Sequence, residues 1–241
     1  MLTVVTFLWS TPGYRSKYTP EHVRTLRNMV ARHYPDPHRF LCITDQAVEG
    51  VECYPIWDDH SQVPNPTWPD RGPSCYRRLK LFSPELAPVV GERFVMLDLD
   101  VVIVGDMRPL WNRAEACVTY SCPGLGGAIN GAMLLATPAR YAHVWDLFDP
   151  FRSPAETHRL GFKGSDQAWL NACLQHCSGK WHQADGLVDF AKMRRQRPRQ
   201  YAVHAPARAT PAPPPGTRIV FFHGKPDPWE VKDQWVLDNY R

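Results

Sequence analysis

The sequence predicts an α/β fold, in which strands alternate with helices. Three features carry this expectation: a strand-helix-strand opening before Trp57, an apolar strand from Arg93 to Leu97 that ends in two aspartates, and a later alternation of helical and strand-like segments. Open sheets of this class receive their ligands beyond the carboxyl ends of the strands.

Taken in order, Leu2 to Leu8 reads as a buried first strand followed by a polar loop with Pro12, Gly13 and Tyr14. Thr19 offers an N-cap and Pro20 a first helical position, after which Val23, Leu26, Met29, Val30 and His33 mark one helical face. Pro35 and Pro37 end that helix. Phe40 to Ile43 and Val51 to Trp57 read as the next strands, and Asp58 to Pro73 as a loop rich in Pro, Asp and Asn. Cys75 to Phe82 has helical character. In the Arg93 to Leu97 strand, Val95, Leu97, Leu99 and Val101 alternate with Phe94, Met96, Asp98 and Asp100. Further strands are expected at Ala132 to Ala136 and Arg218 to Phe222, and helices at Pro138 to Phe148 and from Asp166 to about His176. Pro211 to Pro215 is a stiff connector.

The length of 241 residues with 44% hydrophobic composition suits a single domain, 1–241, whose first half (1–104) would bind a nucleotide and whose second half (105–241) would hold sugar and acceptor. Nine Trp supply both core and stacking material. The seven cysteines are odd in number and lack any Cys-x-x-Cys pair, which points to a reducing compartment. Cys173 and Cys177, near His176 and His182, invite a zinc reading, but Trp169, Leu170, Cys173, Leu174 and Cys177 share helical spacing and read as a buried face. The start of the chain enters a strand without a leader pattern, and no run has membrane-spanning length, so the expected location is the cytosol. A net charge of +4 says little about partners. Its distribution says more, because Phe190 to Pro226 contains no acidic residue and carries Lys192, Arg194, Arg195, Arg197, Arg199 and Arg208 among its cations.

Asp98 and Asp100 lie two apart at a strand end and project to one side, where their charges repel. A hard divalent cation, Mn2+ or Mg2+, relieves that repulsion and bridges to substrate phosphates. A pair of turn aspartates is the plain alternative, and context decides between them.

That context is the tract Arg93 to Val104 followed by Pro109-Leu110-Trp111, which resembles the retaining glycosyltransferases that include glycogenin and the lipopolysaccharide galactosyltransferases. Four further segments resemble this family in order: Tyr76-Arg77-Arg78-Leu79-Lys80-Leu81, Asn130-Gly131-Ala132-Met133-Leu134-Leu135, Ser165-Asp166-Gln167-Ala168-Trp169-Leu170-Asn171, and Phe222-His223-Gly224-Lys225-Pro226 with Trp229. The resemblance implies a GT-A fold, a Rossmann-like nucleotide-sugar-binding mixed sheet flanked by helices. It implies a metal held by Asp98, Asp100 and His223, and donor contacts from Arg78, Asp98, Asn130, Asp166 and Lys225. Gln167 would lie beneath the anomeric carbon, with Asp166 as the alternative catalytic group if the reaction inverts. The family's acidic pair for uracil is missing, so Asp45 and Tyr14 are the base candidates. Gly131-Ala132 also replaces an Ala-Gly order, and His223, Gly224 and Lys225 are consecutive where the family spaces them apart.

The implied activity is transfer of a hexose, with glucose favoured, from a UDP-sugar to a hydroxyl of a glycan or small molecule, with retention. The acid-free basic stretch keeps nucleic acid open as an acceptor, including DNA bearing hydroxymethylated bases. A nucleotide-diphosphate hydrolase or nucleotidyltransferase is the alternative from another class. The sequence offers it no Gly-rich phosphate loop, and it leaves Asn130, Asp166 and Gln167 without a role.

Overall fold

The structure is a computed structural model, and it describes residues 1–10, 17–67, 75–121, 128–176, 179–195 and 212–241. Tyr14, Arg197, Arg199, Arg208 and Cys177 lie outside these residues.

Strand β1 (Leu2–Leu8) is buried along its whole length, as an apolar run needs to be when both faces of a sheet are covered. Helix α1 (Pro20–His33) then packs Val23, Leu26, Met29 and Val30 into the core with no exposure, each worth roughly 1.5–3 kcal/mol. Its first turn is closed by the Thr19 N–H donating to His22 Nδ1 at 3.0 Å. Strands β2 (His38–Thr44) and β3 (Glu52–Pro55) follow, and β4 (Phe94–Leu97) completes a parallel set in which β1 lies between β2 and β4.

Before β4 the chain makes a 3₁₀ helix at Tyr76–Phe82, buried at every residue, and a short helix α2 (Ala87–Val90). After β4 it leaves the sheet. Strand β5 (Val101–Ile103) belongs to a second, smaller sheet, and the strand expected at Arg93 to Leu97 runs from Phe94 to Leu97 with Asp98 and Asp100 beyond its end. The alternation nevertheless continues: Val95, Leu97, Leu99 and Val101 join one core layer, while Phe94 and Met96 join the other.

Helix α3 (Arg108–Trp111) leads to β6 (Cys117–Ser121) and β7 (Ile129–Ala136). β7 pairs antiparallel with both β4 and β6, and β8 (Gly179–Trp181) pairs parallel with β6. The large sheet therefore has the order β3-β2-β1-β4-β7-β6-β8. Strands β9 (Leu187–Asp189) and β10 (Ile219–Phe221) complete the small sheet in the order β5-β10-β9. Both sheets draw strands from both halves of the chain.

Pro138 to Phe148 is not one helix. A 3₁₀ turn at Pro138–Arg140 and helix α4 (His143–Asp146) divide it. The Val144 carbonyl, which a continuing helix would offer to the Phe148 N–H, accepts Trp169 Nε1 at 2.7 Å, and the Phe148 N–H turns to Trp145 instead. Helices α5 (Ser153–Arg159), α6 (Asp166–Leu174), α7 (Phe190–Arg195) and α8 (Gln234–Asn239) follow. In α6, Leu170 and Leu174 are buried and Trp169 and Cys173 pack against the same layer, as the helical spacing predicts. Burial pushes the Cys173 thiol up to about 12. Among the described residues no helix is long and apolar enough to cross a membrane.

Candidate active site

The candidate residues meet where β4 ends. Because β7 runs antiparallel to β4, its first residues lie beside the last residues of β4, and the Asp98 N–H donates to the Ala132 carbonyl at 2.9 Å. On the other side, the Asp100 carbonyl accepts the Phe222 N–H at 2.9 Å. Asp98 is thus held by the large sheet and Asp100 by the small one. Both are half-buried.

Arg78 connects this edge to α6. Its Nη1 donates to Asp98 Oδ1 at 2.5 Å, and its Nε and Nη2 both approach Asp166 Oδ2 at 2.7 Å. The guanidinium is buried, and burial alone would lower its proton affinity. The carboxylates of Asp166 and Asp98 outweigh that and hold it well above the ordinary arginine range. Two charge-assisted partners on a side chain whose 3₁₀ segment is buried throughout leave Arg78 little freedom to move.

Gly131 explains why the segment after Asn130 carries its glycine first. A Cβ at that position would stand 3.3 Å from Arg78 Nη2 and 3.5 Å from the Gln167 Cβ, so a side chain there would press on the arginine and make it shift by a few tenths of an ångström. Ala132, by contrast, lies in the core.

Ser165 does not cap α6. Its Oγ accepts the Cys75 N–H at 3.0 Å and lies 3.3 Å from Asp166 Oδ1, which ties the start of the 3₁₀ helix to the start of α6. Gln167 is held at both ends of its amide: Oε1 accepts the Gly131 N–H at 3.1 Å and Nε2 donates to the Lys163 carbonyl at 3.2 Å. Asn171 was not singled out by sequence reasoning. It accepts the Ile129 N–H at 2.7 Å and donates to the carbonyls of Ile129 and Gln167 at 3.1 and 2.8 Å, locking the start of β7 onto α6. An Asn one turn after Gln167 was the available signal.

Asn130 is buried, its Oδ1 accepts the Ala132 N–H at 2.8 Å, and its Nδ2 lies 3.2 Å from His223 Nε2. His223 follows β10 on the exposed side of the same edge. Lys225 is turned into an acidic pair, with its ammonium 2.6 Å from Asp227 Oδ2 and 2.7 Å from Glu230 Oε1. Asp45 stands at the end of β2, exposed, and its Oδ2 accepts the Ser10 N–H at 3.0 Å.

Among the described residues no three His, Cys, Asp or Glu side chains already stand together at metal-holding distance. The donor set fits a hard divalent cation of another kind. Two half-buried carboxylates at one strand end, with a histidine on the same edge, match ions that take one or two carboxylates and complete their shell with water and phosphate oxygens.

Arg77, the neighbour of Arg78 in the 3₁₀ segment, is not a solvated charge. It is buried, and its guanidinium carbon lies 5.5 Å from the Trp9 ring centroid.

A parallel set of strands extended by an antiparallel β7, with a small second sheet closing the edge, is the GT-A fold of glycosyltransferases. Among solved structures, the galactosyltransferase LgtC in complex with donor and acceptor sugar analogs aligns over 94% of this chain and 89% of its own, with 16% identity and a TM-score of 0.59. The glycosyltransferase GlyE of Streptococcus pneumoniae TIGR4 aligns over 100% of this chain and 62% of its own, with 14% identity and a TM-score of 0.59. The bifunctional glycosyltransferase WbbM aligns over 99% of this chain and 49% of its own, with 11% identity and a TM-score of 0.61. No protein-family model matches the chain, and no curated protein matches it in sequence.

Proposed function

We propose that the protein is a glycosyltransferase that moves a hexose from a UDP-sugar to a hydroxyl of a glycan or small molecule with retention. The observation that carries the reading is Arg78 clamped between Asp98 and Asp166 at the end of β4, with Asn130, Gln167 and His223 around the same edge. Guanidinium, carboxylate and amide groups fixed at one sheet edge suit sugar hydroxyls and a diphosphate in one ligand. A hydrolase or nucleotidyltransferase would leave the Asn130 and Gln167 amides without a substrate group to bind.

Asp98, Asp100 and His223 would hold Mn2+ or Mg2+. Bound there, the ion would supply positive charge against the diphosphate leaving group. The chain's own groups do the rest. Asp166, fixed by Arg78, accepts sugar hydroxyls, and Asn130 donates to the sugar from the opposite strand. The bond from the anomeric carbon to the phosphate oxygen breaks, and the acceptor oxygen bonds to that carbon on the same face. The acceptor proton passes to the departing phosphate oxygen, so no strong base is required. Gln167, its amide held by Gly131 and Lys163, offers the remaining lone pair of its amide oxygen to the positive anomeric centre.

The test is a hydrolysis and transfer assay with labelled UDP-glucose and UDP-galactose, run with Mn2+ and with excess chelator. Activity is expected only with the ion, and Asp100→Ala and His223→Ala should each reduce donor and metal affinity together. Full turnover in chelator would remove all three ligands from the reading. Offering oligosaccharides beside a duplex containing hydroxymethylpyrimidine identifies the acceptor, and label in the duplex alone would overturn the glycan assignment.

A further inference from the structure

The carboxyl ends of β1, β2 and β3 form a second cluster, beside the edge that holds Arg78. Trp9 follows β1, Asp45 follows β2, and Trp57 and Asp58 follow β3. Phe7 packs edge-on against both Trp9 and Trp57, with 6.0 Å between ring centroids in each case. Arg77 lies across this mouth. Its carbonyl accepts Trp57 Nε1 at 2.7 Å and its guanidinium covers the Trp9 ring.

The Arg77 side chain is only 10% exposed, yet among the described residues its ion-pair partner is Asp58, with Oδ1 at 4.0 Å from Nη2, on a fully exposed side chain that water screens. Arg77 Nε and Trp9 Nε1 are both buried, and neither has a hydrogen-bond partner among the described residues. Leaving such donors unmade is costly, and it is costliest on a charged group. Burial accordingly pushes Arg77 below the ordinary arginine range, in contrast to its neighbour Arg78. Two orphaned donors at the ends of three parallel strands stand where an α/β sheet receives a ligand.

We infer that Arg77 and Trp9 form the nucleobase subsite of the donor and, with Asp45, select a base that presents a carbonyl oxygen beside a ring N–H, uracil or guanine. The inference rests on the nucleotide-sugar reading above. Guanidinium and indole N–H groups are donors only, so a base carbonyl satisfies them; adenine has no carbonyl, and the carbonyl of cytosine lies beside an unprotonated ring nitrogen. Asp45, an acceptor on the same mouth, suits the ring N–H that lies beside the carbonyl in both uracil and guanine. Adjacent residues of one 3₁₀ helix then divide the donor, with Arg77 toward the base and Arg78 toward the sugar.

Calorimetry of the full chain with Mn2+ tests this against UDP, GDP, CDP, ADP and pyrophosphate. The wild type should bind UDP or GDP more tightly than CDP and ADP. Arg77→Met should weaken the preferred nucleotide on the order of tenfold to a hundredfold and leave pyrophosphate unchanged. Trp9→Phe, which keeps a ring and deletes the N–H, should lose part of the same selectivity, and it carries the test if Arg77→Met does not fold. Equal losses for nucleotide and pyrophosphate, or base preference intact in the variants, would overturn the subsite while the donor reading stands. A wild type that binds none of the nucleotides overturns both.

Discussion

Replacing Arg78 with Met removes the one cation between two acids and keeps most of the apolar stem. Asp166 is the partner that suffers, because its side chain is 3% exposed and both of its arginine contacts are lost. Asp98 is 31% exposed, so water recovers most of what it loses. Orphaning a buried carboxylate in this way costs about 3–5 kcal/mol, a large part of the roughly 5–15 kcal/mol that holds a domain folded. The cost has a pH signature. Burial already holds Asp166 above the ordinary carboxylate range with Arg78 in place; losing the guanidinium pushes it further above its unfolded value, so the folded state holds an extra proton. The penalty is then full above the raised pKa and shrinks as pH falls toward about 3.9. Urea denaturation followed by Trp fluorescence at several pH values measures this directly. Asp166→Asn added to Arg78→Met should restore much of the loss, giving a double-mutant coupling of 1 kcal/mol or more, roughly. A loss below about 1 kcal/mol that does not vary with pH, or an Asp166→Asn change that adds to the damage, would refute the clamp.

Gly131→Ala should destabilise by about 1–3 kcal/mol and weaken donor binding by calorimetry, because the new Cβ would stand 3.3 Å from Nη2 of an arginine already held by two carboxylates. A fully stable variant with unchanged binding would show that β7 can move away. His22, His33 and His60 are all held below the ordinary histidine range, chiefly by burial. The unfolded chain therefore takes up protons near pH 6.5 that the folded chain refuses, and the wild-type thermal midpoint should fall as pH drops from 7.5 to 5.5. A flat profile across that window would contradict their burial. The Arg78→Met penalty shrinks on acidification, while the histidine contribution is lost.

Much of the frame was legible because its signals are local. Leu2–Leu8 and Phe94–Leu97 are apolar runs that end at polar residues, and α1 carries a cap, a proline and one apolar face. β8 and β9 were invisible at three residues each, since their pairing partners come from distant parts of the chain. The last turn of the expected Pro138–Phe148 helix meets a non-local partner too, the Trp169 indole arriving from α6. At the candidate site, the identities of Arg78, Asn130, Asp166 and Gln167 could be read from their segments. What could not be read was the choice of partners, such as Ser165 turning from its own helix to the Cys75 N–H. The same holds for Arg77, whose burial depends on Trp9 and Trp57 arriving from two other strands.

The chain changes sheets between Asp98 and Asp100, with buried Leu99 as the only residue between them. The spacing of the two carboxylates is therefore a gauge of how the sheets are aligned. A ligand that touches both acts as a rivet across the seam, and its binding free energy adds to the cohesion of the sheets as well as to occupancy. Slippage at the seam and loss of ligand then become the same event. Amide exchange in β5 and β10, far along the chain from one another, should slow together when that ligand is present.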